Sequence, residues 1–146
     1  MHESNIEAKT ALFYDAWNRG DEKYVRESVA PDAINHGFGD IIEDHETFMH
    51  SFIAIRRAFP DLQYTMHEIV VDSQRQLSVT NVVCEGTQSG EFFGHPPSNR
   101  RARWREMRMA RWGEGRIVEH WTVRDGVAIL VQLGYINVEG YPRTPT

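Results

Sequence analysis

Up to Pro60 the hydrophobic positions recur at helical spacing, and from Leu62 onward they alternate with polar ones, so the chain divides into a helical and a strand-forming part. Ser4-Asn5-Ile6-Glu7 has the form of a capping box; Ile6, Leu12, Phe13, Ala16 and Trp17 follow at roughly helical spacing, and Gly20 offers a stop. Asp21 can cap a second, shorter helix through Val29, which carries Tyr24 and Val25 and ends before Pro31. Asp44 begins a third, whose Phe48, Met49, Phe52, Ile55 and Phe59 share one side and which Pro60 closes. Between the second and third helices, Ala33–Gly37 reads as a short extended piece.

Leu62–Asp72 and Gln76–Gln88 alternate and are rich in Val, Thr and Tyr, two strands joined at Asp72-Ser73. The next connection, GEFFGHPPSNRR, contains Pro96-Pro97, which rules out a central strand; it reads as a stiff lip at a pocket entrance. Arg101–Trp112 and Arg116–Asp125, separated only by Gly113-Glu114-Gly115, predict a hairpin. Pairing Trp112 with Arg116 would set Arg108 opposite His120 and Glu106 opposite Thr122. Period two then places Trp104, Glu106, Arg108, His120 and Thr122 on one sheet face. Asp125 ends the strand and is expected to cap the following turn. Val127–Leu133 reads as a last turn of helix or irregular chain, and the tail from Asn137 to residue 146 as loosely held. Helices followed by an antiparallel meander give an α+β fold: three N-terminal helices packed on one face of a curved, mainly antiparallel sheet.

The chain's 146 residues suit a single domain with a core spanning about residues 6–134. The net charge of -5 argues against nucleic acid as the main partner, although Arg100, Arg101, Arg103, Arg105, Arg108 and Arg111 lie near Trp104 and Trp112. Alternation divides these cations between two faces. The single cysteine, Cys84, excludes an intrachain disulfide and reads as a small buried hydrophobe. The seven histidines show no dense ligand spacing, so no metal site is expected. A polar, acidic start without a signal-like apolar core, and no membrane-length apolar run, predict a cytoplasmic protein without a membrane partner.

Several pieces, in this order, resemble the SnoaL-like polyketide cyclases of the nuclear-transport-factor-like superfamily. They are Ala16-Trp17-Asn18-Arg19-Gly20-Asp21, Pro31-Asp32-Ala33-Ile34-Asn35-His36, Phe59-Pro60-Asp61-Leu62, the Gly94–Arg100 loop, Ile117-Val118-Glu119-His120-Trp121 and Gln132-Leu133-Gly134. The resemblance implies a cone-shaped α+β barrel around an apolar pocket, working without cofactor or metal. It also implies that Asn35 holds substrate. The family's acid/base aspartate position falls on Thr122 and its histidine position on Arg108, so the pocket is kept and that acid/base pair is not. A threonine hydroxyl is far too weakly acidic to replace a carboxylate as base.

The remaining candidates for chemistry are Glu106, Arg108 and His120, set among Asn35, Trp104, Thr122, Trp17, Phe13, Phe52 and Tyr64 as substrate-binding residues. Phe59 is expected in the same wall. Carboxylate, guanidinium and imidazole together could orient water or take a proton from an activated carbon. The first expectation is cofactor-free cyclisation, isomerisation, hydration or hydroxylation of a small, apolar, oxygenated molecule, polyketide-like or terpenoid-like. The second is a non-catalytic ligand-binding module, favoured if Glu106 and Arg108 satisfy only each other. The third is a hydrolase resembling the limonene-type epoxide hydrolases, which use an acid–arginine–acid set. Arg103, Arg105, Met107, Met109 and Trp121 on the outer face predict a two-fold homodimer.

Overall fold

A computed structural model describes residues 1–37, 39 and 41–141. The chain runs α1 (Glu3–Arg19), α2 (Glu22–Ser28), β1 (Val29–His36), β2 (Ile42–Glu43), α3 (His45–Ala58), β3 (Gln63–Asp72), β4 (Leu77–Thr87), β5 (Arg101–Gly113), β6 (Arg116–Arg124) and α4 (Gly126–Gln132). The strands form one sheet in the order β2-β1-β6-β5-β4-β3. Only β1 and β6 run parallel; the other neighbours are antiparallel. The sheet is mixed and curls without closing, so the expected barrel is an open one.

Local chemistry fixes most element ends. Gly20 sits at φ 66, and its N–H donates to the Trp17 carbonyl at 3.1 Å, which stops α1. The Asp21, Asp44 and Asp125 carboxylates accept from the backbone N–H of Tyr24, Thr47 and Ala128 at the starts of α2, α3 and α4. Asp125 is thus the cap expected of it, and Val127–Leu133 is largely helical. The capping box at Ser4 does not form. Helix α1 begins two residues earlier, behind His2, with no side-chain cap.

The helices cover the inner sheet face, and Ile6, Trp17, Met49, Phe52, Phe59 and Leu62 are buried there. Asn18 fastens α1 to the sheet: its Nδ2 donates to the Tyr64 carbonyl at 3.0 Å and its Oδ1 accepts from the Tyr64 N–H at 2.6 Å. Cys84 is fully buried. No helix among the described residues is long and apolar enough to cross a membrane. Of the tail, Asn137 to Tyr141 are described and largely exposed, while residues 142–146 lie outside the described residues.

The β5–β6 hairpin departs from the expected register. Glu114 (φ 52) and Gly115 (φ 79) form a two-residue turn of the primed kind, which pairs Gly113 with Arg116 and Trp112 with Ile117. A bulge then skips Val118, so Arg111 pairs with Glu119, Ala110 with His120, Arg108 with Thr122 and Glu106 with Arg124. The register is shifted by two residues from the expected one. Because two is the period of a strand, the face assignment of His120 and Thr122 survives.

Candidate functional site

The inner face of β5 and β6 forms the floor of the site. Glu106, fully buried, lies beside Arg108 on β5 and opposite Arg124 on β6. Its Oε2 accepts from Arg108 Nε at 2.8 Å and pairs with Nη2 at 2.7 Å. Its Oε1 accepts from Arg124 Nε at 2.8 Å and from the Trp104 indole at 3.0 Å. Burial opposes ionisation of this carboxyl, but the two arginine charges and the hydrogen bonds from Trp104 and Arg124 together outweigh it, holding Glu106 far below the usual carboxylate range. A carboxylate so fully engaged is an anchor for cations and a weak proton acceptor.

Arg108 does more than neutralise Glu106. Its guanidinium lies over the rings of Trp17 (4.8 Å), Tyr64 (5.1 Å) and Tyr14 (5.7 Å), contacts that favour a desolvated cation. One of its nitrogens, Nη1, is buried without a hydrogen-bond partner among the described residues, as are Trp17 Nε1, Asn35 Oδ1 and Tyr64 Oη. Three of these four atoms belong to residues that line one cavity of about 270 Å³. Buried polar atoms are ordinarily satisfied, so this concentration marks where a ligand's own donors and acceptors fit.

The cavity is lined by Trp17 of α1, Asn35 and His36 of β1, Glu43 of β2, Phe48 and Ile55 of α3, Glu91, Phe92 and Phe93 of the long connection, and Arg108, His120, Thr122 and Arg124 of the floor. His120 meets Phe13 and Phe48 edge-on, with ring centroids at 6.4 and 5.8 Å. Burial, with Arg108 next in effect, pushes its imidazole pKa down to about 3, so it is neutral at pH 7. Asn35 Nδ2 is occupied by the Ala33 and Glu43 carbonyls, both at 3.4 Å. His36 stacks on Trp121 (centroids 4.8 Å apart) and contacts Glu119 at 3.1 Å.

Of the residues expected in the wall, the structure brings Trp17, Asn35, Arg108, His120 and Thr122 to the cavity. Glu106, Trp104, Phe13, Phe52, Phe59 and Tyr64 stand behind it as buried core that shapes the lining. The entrance lip is present, but Glu91, Phe92 and Phe93 supply it rather than the two prolines. Sequence reasoning missed Arg124, Glu43 and Gln88. Arg124 shares the parity of His120 and Thr122 and was within reach of the alternation argument. Gln88 gave no signal, yet its buried side chain donates to the Gly90 and Pro96 carbonyls at 3.0 and 3.1 Å and accepts from the Ser98 N–H at 3.0 Å, pinning the lip to the sheet. Among the described residues no group of three or more His, Cys, Asp or Glu is arranged to hold a metal ion.

Comparison with known proteins agrees with this architecture. The structure is similar to AclR, a putative hydroxylase from Streptomyces galilaeus, at a TM-score of 0.86 and 26% identity over 94% of this chain and 89% of that one. It is similar to IdmH, a putative polyketide cyclase from Streptomyces antibioticus, at a TM-score of 0.78 and 36% identity over 91% of this chain and 99% of that one. A protein described as a putative SnoaL-like polyketide cyclase from Jannaschia sp. CCS1, 18% identical over 92% of this chain and 95% of that one with a TM-score of 0.82, shares the fold. A search of curated proteins found no match. The family model for SnoaL-like polyketide cyclases matches residues 8–133, and the chain belongs to that family.

Proposed function

We propose that this protein is a cofactor-free acid/base enzyme acting on a compact, largely apolar, oxygenated molecule of polyketide-like or terpenoid-like character with an enolisable carbonyl. The carrying observation is the spare Nη1 of Arg108, a buried cationic donor without a partner among the described residues, on a residue that lines an apolar-walled cavity. A substrate oxygen that gains negative charge when a neighbouring carbon loses its proton would be stabilised there. The size of the cavity, about 270 Å³, is just below the roughly 300–1,000 Å³ of drug-sized sites and suits a small ring system. Asn35 Oδ1 and the Trp17 indole offer one acceptor and one donor to orient further oxygens. Thr122 adds a hydroxyl beside them. Glu106 serves as a positioning residue that fixes both arginines, and neutral His120 exchanges hydrogen bonds with the substrate rather than storing a proton.

Two likenesses above 25% identity support this class: IdmH is described as a putative polyketide cyclase and AclR as a putative hydroxylase. A purely structural ion pair fits less well, because Arg108 keeps a donor that Glu106 does not use. Hydrolysis of the acid–arginine–acid type fits less well, because the position on β6 opposite Glu106 holds Arg124. The test is calorimetric titration with 2-acetylcyclohexane-1,3-dione, an acidic enol that binds as its enolate. The native chain is expected to bind it, and Arg108→Lys to bind at least tenfold more weakly while keeping its charge. Absence of binding, or equal binding by the variant, would remove this reading.

The same proposal includes a homodimer through the outer sheet face, where Met107 is 45% and Val123 72% exposed next to Trp121 and Arg105. Light scattering at micromolar concentration showing only a 16.9 kDa species would dismiss it.

A further inference from the structure

The floor offers two cations, a carboxylate fully engaged by them and an imidazole whose basicity burial has lowered. At the rim, Glu43 and Glu91 are the carboxylates among the described lining residues, and Glu43 sits on β2, paired in register with Asn35. Two observations show that its side chain has a built seat. First, a Cβ placed on Gly37 would lie 2.4 Å from Glu43 Oε1 and 2.6 Å from Cδ, so the carboxylate rests directly over the bare Gly37 backbone. Second, among the described residues no hydrogen bond or ion pair holds that carboxylate, although Arg124 stands near enough to act on it electrostatically. Any side chain at position 37 would force Glu43 to move.

We propose that Glu43, seated on Gly37 at the cavity rim, is the catalytic acid/base of this site and takes the place of the family aspartate that Thr122 lacks. The inference rests on the cavity reading given above. On a 1,3-dicarbonyl substrate, the Glu43 carboxylate removes the proton between the carbonyls, and the C–H electron pair becomes an enolate whose oxygen meets Arg108. The enolate carbon attacks a further carbonyl carbon of the same molecule, outside the 1,3-dicarbonyl unit, forming a C–C bond as the C=O π pair moves onto oxygen, and the resulting alkoxide takes the proton back from Glu43. The product is an isomer of the substrate, and no oxidant or cofactor is consumed. Burial lifts the Glu43 carboxyl above the usual carboxylate range, with Asp44 adding to this and Arg124 opposing it, which brings its basicity closer to what proton removal from carbon needs.

The test needs no knowledge of the natural substrate. 5-Nitrobenzisoxazole loses its C3 proton to a base while its N–O bond breaks, giving a coloured cyano-nitrophenolate, and it is small enough for the cavity. The native protein is expected to speed this elimination above the buffer rate, with a rate that rises with pH through a midpoint above the ordinary glutamate value. Glu43→Gln should lose at least tenfold of the accelerated rate. Gly37→Ala, which leaves the carboxylate in the chain but unseats it, should lose a comparable factor, and Glu114→Gln at the distant hairpin turn should lose none. No acceleration by the native protein, an unchanged rate in Glu43→Gln, or a loss in Glu91→Gln in place of Glu43→Gln would overturn the assignment. A protein that binds the dione but fails this elimination overturns Glu43 alone; one that does neither overturns the cavity reading as well.

Discussion

Two glutamates of this protein, Glu106 in the floor and Glu43 at the rim, are both drawn out of bulk water, and burial pushes both toward the neutral form. They end on opposite sides of the ordinary carboxylate value. Glu106 is met by two guanidinium groups and an indole N–H and is driven far into the ionised form; Glu43 has no such partners among the described residues and is held above its ordinary value. Depth alone therefore does not make a base. The hydrogen bonds that meet the charged form decide whether a buried carboxylate becomes a structural anchor or a reactive group.

The sharpest way to break this comparison is to remove an anchor. Arg108→Met should cost about 3–5 kcal/mol in urea unfolding, because it strips a fully buried carboxylate of its main partner. Adding Glu106→Gln should return part of that loss, and only part, since Arg124 then loses its own counter-charge. Trp104→Phe removes one charge-assisted hydrogen bond to Glu106 and should cost about 1.5–3 kcal/mol in the same measurement. A loss below about 0.5 kcal/mol for Arg108→Met would show that the floor is not an anchor at all.

A third measurement uses pH. His120 titrates near 3 in the folded chain against roughly 6.5 when unfolded. Within that window the unfolded chain binds a proton that the folded chain refuses, so stability falls as pH drops from about 6.5. His120 should contribute a slope that grows from about 0.7 kcal/mol per pH unit at pH 6.5 to about 1.4 near pH 4.5, which His120→Gln removes; unfolding curves between pH 4.5 and 6.5 test this. The smallest effect belongs to the rim: Glu43→Gln should change stability by no more than about 0.5 kcal/mol, since nothing among the described residues is anchored on its carboxylate. A large loss there would turn Glu43 into a second structural anchor and erase the contrast.

The sequence disclosed these two carboxylates very unequally. Glu106 and Arg108 stood out because two residues of opposite charge at strand spacing must share a face, and the face followed from alternation. Their third member, Arg124, obeyed the same parity but lay near the expected strand end and passed unnoticed. Glu43 belongs to a two-residue strand whose pairing with Asn35 is set by tertiary contacts, a level at which periodicity is silent. The helix ends at Gly20, Asp21 and Asp44 were legible because each rests on chemistry within four residues. The same limit explains why residues expected as lining, such as Phe52 and Tyr64, proved to be core: an inner face tells which way a side chain points, not whether another side chain stands in front of it.

The short turn and the Val118 bulge together make the last strand sensitive to length in an all-or-none way. A two-residue turn on its own would present Trp121 to the floor and His120 to the outside; the one skipped residue cancels that inversion. Changes of chain length in this hairpin are thus quantised. An insertion of one residue turns a strand inside out unless a second irregularity absorbs it, whereas a step of two slides Arg124 past Glu106 and re-deals the floor's charges without exposing its interior. Chemistry on this fold can be rewritten by sliding a strand as well as by replacing its residues.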